Sequence, residues 1–150
     1  MHNTAWLLTM VAMLTIPLVA QNTTTADRAA IRKVIDDQQA AWNRQDLEGF
    51  MAGYWNSPDL TFFSGAQESK GWQAALDRYK KNYQSGGHEM GKLEFTSLRI
   101  EMLGPEAAFV RGEFHLRMSN GKTPHGLFTL VFRKFPEGWK IVHDHSAGES

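Results

Sequence analysis

At 150 residues and 42% apolar, with nine Phe, five Trp and three Tyr, the chain is sized for one domain with a real core and is too rich in aromatics for disorder. Sixteen Lys and Arg balance sixteen Asp and Glu, leaving no net charge and no basic run of the kind that follows a phosphate backbone, so nucleic acid is not an expected partner. With no cysteine, disulfides and cysteine-linked lipid are excluded, and packing alone must hold the fold.

The amino-terminal stretch stands apart. Residues 5–20 are almost wholly apolar and uncharged, and polar Gln21-Asn22-Thr23 follows, the pattern of a secretory signal cut after Ala20. The run is shorter than the roughly 20 apolar residues of a membrane span, and Pro17 interrupts it. Export to the periplasm or beyond is therefore expected, with no membrane contact after cleavage, and residues 21–150 form a single domain.

Thr24 and Asp27 resemble a capping box, and Ile31, Val34, Ile35, Gln38, Ala41 and Trp42 then recur at helical spacing, predicting a helix over 26–43. Asp46 is placed to cap a short second helix with Leu47, Phe50, Met51 and Tyr54 on one side, stopped by Pro58. Residues 60–63 form a short apolar stretch that reads as a strand. Trp72, Ala75, Leu76, Tyr79 and Tyr83 mark a third helix, which Gly86-Gly87 ends. From Lys92 the texture changes to β-formers broken by turn residues. Four strands are predicted at 93–103, 107–118, 125–135 and 139–146, joined at Gly104-Pro105, Asn120-Gly121 and 136–138. Three helices ahead of one curved antiparallel sheet make an α+β fold with the helices on one face.

The last strand carries the densest chemistry. Side chains alternate along it, so Ile141, His143 and His145 share one face and Asp144 and Ser146 take the other. A two-residue turn at Asn120-Gly121 sets Ser119 opposite Lys122, and a four-residue loop over 135–138 sets Lys134 opposite Trp139. In that register Arg111 and Glu113 meet His143 and His145 over a floor of Phe128 and Leu130, with Glu113 the first carboxylate partner for a histidine. One β-bulge in either hairpin turns a strand over. The opposite face of the second long strand, with Ala108, Val110, Phe114 and Leu116, is more apolar and competes for the helices. The plainer reading of the two histidines is one buried and hydrogen-bonded, the other exposed at the strand end; that of Arg111 is a solvated or dimer-face residue. A His-x-His pair can serve zinc, but His115, His125, Asp59 and Glu89 supply no third ligand at a diagnostic spacing, so no metal is expected. Phosphate loop, dinucleotide fingerprint and nucleophile elbow are all missing, and no cofactor is expected.

The order of elements adds to this reading. A helix, a short helix, Tyr54-Trp55 and Asp59 leading into an apolar strand, a helix opened by Gly71-Trp72, and four strands closing on Gly-Trp-Lys-Ile-Val-His-Asp-His-Ser resemble the SnoaL-like branch of the nuclear transport factor 2-like superfamily over residues 24–146. The tail is also similar to the end of the association domain of calcium/calmodulin-dependent kinase. The resemblance implies a cone-shaped fold with a deep pocket between helices and sheet, commonly a homodimer through the outer sheet face. It further implies that Trp42, Tyr54, Trp55, Trp72 and Tyr79, otherwise plain core residues, line that pocket. One activity is not implied, since members include isomerases, cyclases, dehydratases and hydrolases that work without cofactors, beside proteins that only bind or assemble. Two functions of different class follow. The first is an exported pocket protein that binds a small apolar or amphipathic organic molecule. The second is a cofactor-independent acid/base enzyme, an isomerase, dehydratase or cyclase, in which His145 moves a proton and Arg111 or a buried tyrosine steadies an oxyanion. A weaker third reading is an assembly module that only dimerises.

Overall fold

The computed structural model describes residues 18–149. The expected signal segment thus lies outside the described residues, save for Leu18, Val19 and Ala20, which open the first helix. The elements are α1 (Leu18–Asn43), α2 (Leu47–Met51), β1 (Thr61–Ser64), β2 (Gln67–Lys70), α3 (Trp72–Tyr83), β3 (Lys92–Met102), β4 (Ala107–Arg117), β5 (His125–Phe135) and β6 (Gly138–Glu149). No helix among the described residues is long and apolar enough to cross a membrane.

Helical spacing in α1 puts Ile31, Ile35, Gln38 and Trp42 on one buried face. Thr24 and Asp27 do not cap it, because α1 begins earlier. Asp27 instead accepts from Trp139 Nε1 at 3.0 Å and from Lys134 Nζ at 2.7 Å, pinning the helix to the β5–β6 hairpin. The other end is tied to the sheet edge: Asn43 exchanges two hydrogen bonds with the Leu93 backbone, and Gln39 Oε1 accepts from the Phe95 amide. The chain then turns through Gln45 in the left-handed region, and the Asp46 carboxylate caps α2 by accepting from the Gly49 amide at 2.7 Å.

One six-stranded sheet runs in the order β2-β1-β6-β5-β4-β3. It is mixed rather than wholly antiparallel, because β1 lies parallel to β6, with Thr61 opposite His143 and Phe63 opposite His145. The β1–β2 hairpin supplies the extra edge. The α+β architecture otherwise stands as read, with helices over one sheet face.

Two features of register differ from expectation, and both decide which residues face the helices. Met118, not Ser119, lies opposite Lys122, donating to its carbonyl at 2.9 Å, with Gly121 at φ +83°. The turn is therefore the three-residue kind that ends on a left-handed glycine. Arg111 pairs with Thr129 and Glu113 with Leu127, so both face away from Phe128 and Leu130. In the second hairpin Lys134 does lie opposite Trp139, but the pairing slips by one residue between Phe132–Ile141 and Val131–His143, with Val142 as the extra residue of a bulge. That slip sends Asp144 and Ser146 inward and the two histidines outward. Near the open end of the sheet, Gly126 and Gly148 oppose one another with the Phe114 ring against both, where a Cβ on either would collide with backbone.

Candidate functional site

Between the inner sheet face and the helices lies a cavity of about 350 Å³, at the small end of small-molecule sites. Its walls are mainly aromatic, with Trp42 from α1, Tyr79 and Tyr83 from α3, and Phe95, Phe114 and Phe128 from the sheet. Trp42 meets Phe50, Tyr79 and Tyr83 edge-on, and Phe50 meets Tyr79 in the same way, with ring centroids 4.8 to 5.9 Å apart, while Tyr79 and Tyr83 stack at 6.0 Å, which fixes the wall. The Trp42 Nε1 donates to the Met90 carbonyl at 3.0 Å, so this indole already has its polar partner.

The floor carries a carboxyl group. Asp144 is only 3% exposed. It accepts from the Tyr54 hydroxyl at 2.7 Å on Oδ2 and from Ser146 Oγ at 2.7 Å on Oδ1. Tyr54 is held in place by the chain after α2, whose backbone bonds to Ile141 on β6 in parallel fashion. Burial pushes Asp144 up to about 6, against the opposing pull of those two hydrogen bonds and of the His145 charge. Burial, followed by the Asp144 charge, holds the Tyr54 and Tyr79 phenols well above their usual range, so both remain neutral donors at any ordinary pH. The Tyr79 hydroxyl adjoins that of Tyr54, giving a phenol, phenol, carboxyl series along one side of the cavity. Such a group, desolvated and titrating near neutrality beside apolar walls, is equipped to take a proton from carbon or oxygen and return it.

Of the residues singled out from sequence, Trp42, Tyr54, Tyr79, Phe128 and Leu130 line this cavity. The remaining six do not, which corrects the clustered-face reading. His143, His145, Arg111 and Glu113 do share a face, but the longer turn and the Val142 bulge make it the outer one. There His143 Nδ1 meets Thr61 Oγ1 at 2.6 Å, and the Phe63 ring stands edge-on to both imidazoles. Burial, then the neighbouring His145, pushes His143 down from its usual pKa. His143 is half-buried rather than a buried core histidine, and His145 is exposed, so the plainer reading of the pair holds for the second alone. Glu113 partners His115 at 3.4 Å instead of a strand-end histidine, and Arg111 pairs with Glu101 at 3.2 Å. Trp55 stacks on Phe135 outside the cavity, and Trp72 donates to the Met51 carbonyl beneath it. No cluster of three or more His, Asp or Glu among the described residues is arranged to hold a metal ion.

His145 reaches the cavity only as a field across its own strand, the last-ranked influence on Asp144. His145→Ala is accordingly expected to change cavity binding and stability by no more than about 0.5 kcal/mol, as titration calorimetry and thermal melting would read. A loss of binding tenfold or more would return the histidine to the site.

Asp144, Ser146 and Arg78 were not singled out by sequence reasoning. The usable signal was the greater apolarity of Ala108, Val110, Phe114 and Leu116, which marks the inner face of β4.

A family model described as a SnoaL-like domain matches residues 31–147. Among solved structures, an NTF-2 like protein of unknown function from Shewanella oneidensis MR-1 is 38% identical, over 80% of this chain and 98% of its own, with a TM-score of 0.73. A nuclear transport factor 2 (NTF2-like) superfamily protein from Salmonella enterica serovar Typhimurium LT2 is 22% identical, over 85% and 94%, with a TM-score of 0.70. A hexachlorocyclohexane dehydrochlorinase (LinA) type 2 is 18% identical, over 87% and 90%, with a TM-score of 0.69. These last two are likenesses of fold. No curated protein matches the chain.

Proposed function

The chain belongs to the SnoaL-like domain family, and from that premise we propose that it binds a small apolar or amphipathic organic molecule in the aromatic cavity and moves a proton on it without a cofactor, Asp144 acting as the base. The observation that carries this is a buried carboxyl, held at about 6, on the floor of a pocket whose walls are otherwise mostly apolar. A base near neutrality is both ionised and basic enough to draw a proton from a carbon beside an electron-withdrawing group. Tyr79 is the neutral donor available to an oxyanion that develops there. The name of the dehydrochlorinase among the structural neighbours describes an elimination, which requires loss of a proton from carbon, the same class of step.

Incubation with small cyclic ketones in D2O tests the reading. Deuterium entering next to the carbonyl faster than in buffer, and falling to the buffer rate with Asp144→Asn, is the expected result. Ketones that bind but exchange no faster than in buffer would leave a binding protein. That second reading has its own support, because both Asp144 oxygens already accept a short hydrogen bond. A carboxyl so satisfied can orient a ligand without reacting.

The same proposal places the chain outside the cytoplasm, on the strength of the uncharged run at 5–20, and pairs two copies through the outer sheet face, where Leu127 is 66% exposed. Amino-terminal sequencing of the mature chain and its mass by light scattering test these two points. An uncut, monomeric chain would refute both.

A further inference from the structure

Arg78 projects from α3 into the cavity wall, with its guanidinium 6.0 Å from the centroid of the Phe62 ring. Arg32, Arg44 and Arg111 each meet a carboxylate at 2.9 to 3.2 Å. Among the described residues Arg78, like Arg28, Arg99, Arg117 and Arg133, meets none, and of these only Arg78 borders this cavity. One helical turn on, exposed Asn82 also lines the cavity, which sets the pair at its rim. Asp144, buried on the cavity floor, repels any anion brought close to it. We infer that the cavity takes an apolar carboxylic acid in its ionised form, the carboxylate paired with Arg78 and accepting from the Asn82 amide at the rim, the apolar body lying inward against the aromatic walls.

A planar guanidinium matches a carboxylate through two parallel N–H donors. A single cation leaves half the charge of a phosphate dianion unbalanced, and the remaining wall offers an apolar body its burial. Arg78 then selects the head, and Asp144 on the floor is left to face the body. Tyr79 stands in the field of both. This inference rests on the reading of the cavity as the ligand site.

The test titrates phenylacetate, cinnamate and cyclohexanecarboxylate against their primary amides, by calorimetry and by shifts of Phe128 and Tyr79 ring signals in NMR. The acids are expected to bind about tenfold or more tightly than the amides. Arg78→Gln should remove most of the difference between each acid and its amide, and Arg78→Lys should keep part of it. Acids and amides bound equally by the unaltered chain, or an acid preference that survives Arg78→Gln, would overturn the inference and leave the cavity reading intact. Neither class shifting the two ring signals would overturn both.

Discussion

Replacing Asp144 with asparagine is expected to stabilise the chain by about 1–3 kcal/mol at pH 8 and to change its stability by no more than about 0.5 kcal/mol at pH 4. In the folded chain the carboxyl titrates at about 6, against 3.8 for an ordinary aspartate. Between those values the folded chain holds a proton that the unfolded chain has released, so stability falls as pH rises through this window. Below 3.8 both states are protonated and nothing is lost; above 6 the full cost of a buried charge is present, about 3 kcal/mol. Asparagine carries no charge to bury. Its Oδ1 can still accept from Tyr54, and its amide can donate to Ser146 once that hydroxyl turns from donor to acceptor. The lower end of the range allows for imperfect geometry in that exchange.

Other groups titrate over the same range, so the informative quantity is the difference between variant and parent. Asp27 is held low by its hydrogen bonds to Lys134 and Trp139, and Asp46 by the Gly49 amide. Both contribute stability that is lost on acidification. They do so equally in the two proteins and cancel. Melting temperatures that differ by the same amount at pH 4 and pH 8, or a variant less stable than the parent at pH 8, would show that Asp144 is held as an ordinary structural carboxylate.

Local pattern made most of the fold legible and left the site half hidden. Ile31, Ile35, Gln38 and Trp42 declare the inner face of α1 because a helix period repeats, and Asp46 declares the start of α2 because a short carboxylate before an apolar run caps orphan amides. The face of a strand, by contrast, depends on parity, and parity changes with one residue. Ser119-Asn120-Gly121 can close a hairpin as a two-residue or a three-residue loop, with glycine suited to either. Nothing in Ile141-Val142-His143 announces a bulge, since all three suit a strand. Alternation alone puts Asp144 on the face away from the histidines and says nothing of a site there. Its burial depends on a hydroxyl 90 positions away at Tyr54 and on Ser146 two positions on, and a partner that distant has no local signature. For Trp42, Tyr54 and Tyr79 the signal is the resemblance, since a cone fold lines its cavity with the elements that pack on the sheet.

Turnover of any substrate of the cavity is expected to climb with pH through about 6 and to stay level above it, and to fall by about 10² to 10⁴ in Asp144→Asn. The direction of the limb separates two roles for one group: a base must be ionised and gains with pH, whereas a general acid would lose activity over the same range. The phenols beside it titrate too high to bend the plateau. Tyr54 makes the assignment specific. Its hydroxyl stabilises the ionised form of Asp144 and so opposes the upward push of burial. Tyr54→Phe should therefore move the limb of kcat/KM to higher pH, and Ser146→Ala should do the same through the other oxygen. A tyrosine that merely filled space would lower the rate without moving the limb. The base in Tyr54→Phe is stronger once ionised but ionised less often at pH 7, so the variant should lose most near neutrality and recover at pH 8 or above. A limb that stays at 6 in both variants, or full turnover in Asp144→Asn, would remove the carboxyl from the reaction and leave the aromatic pocket as a binding site only.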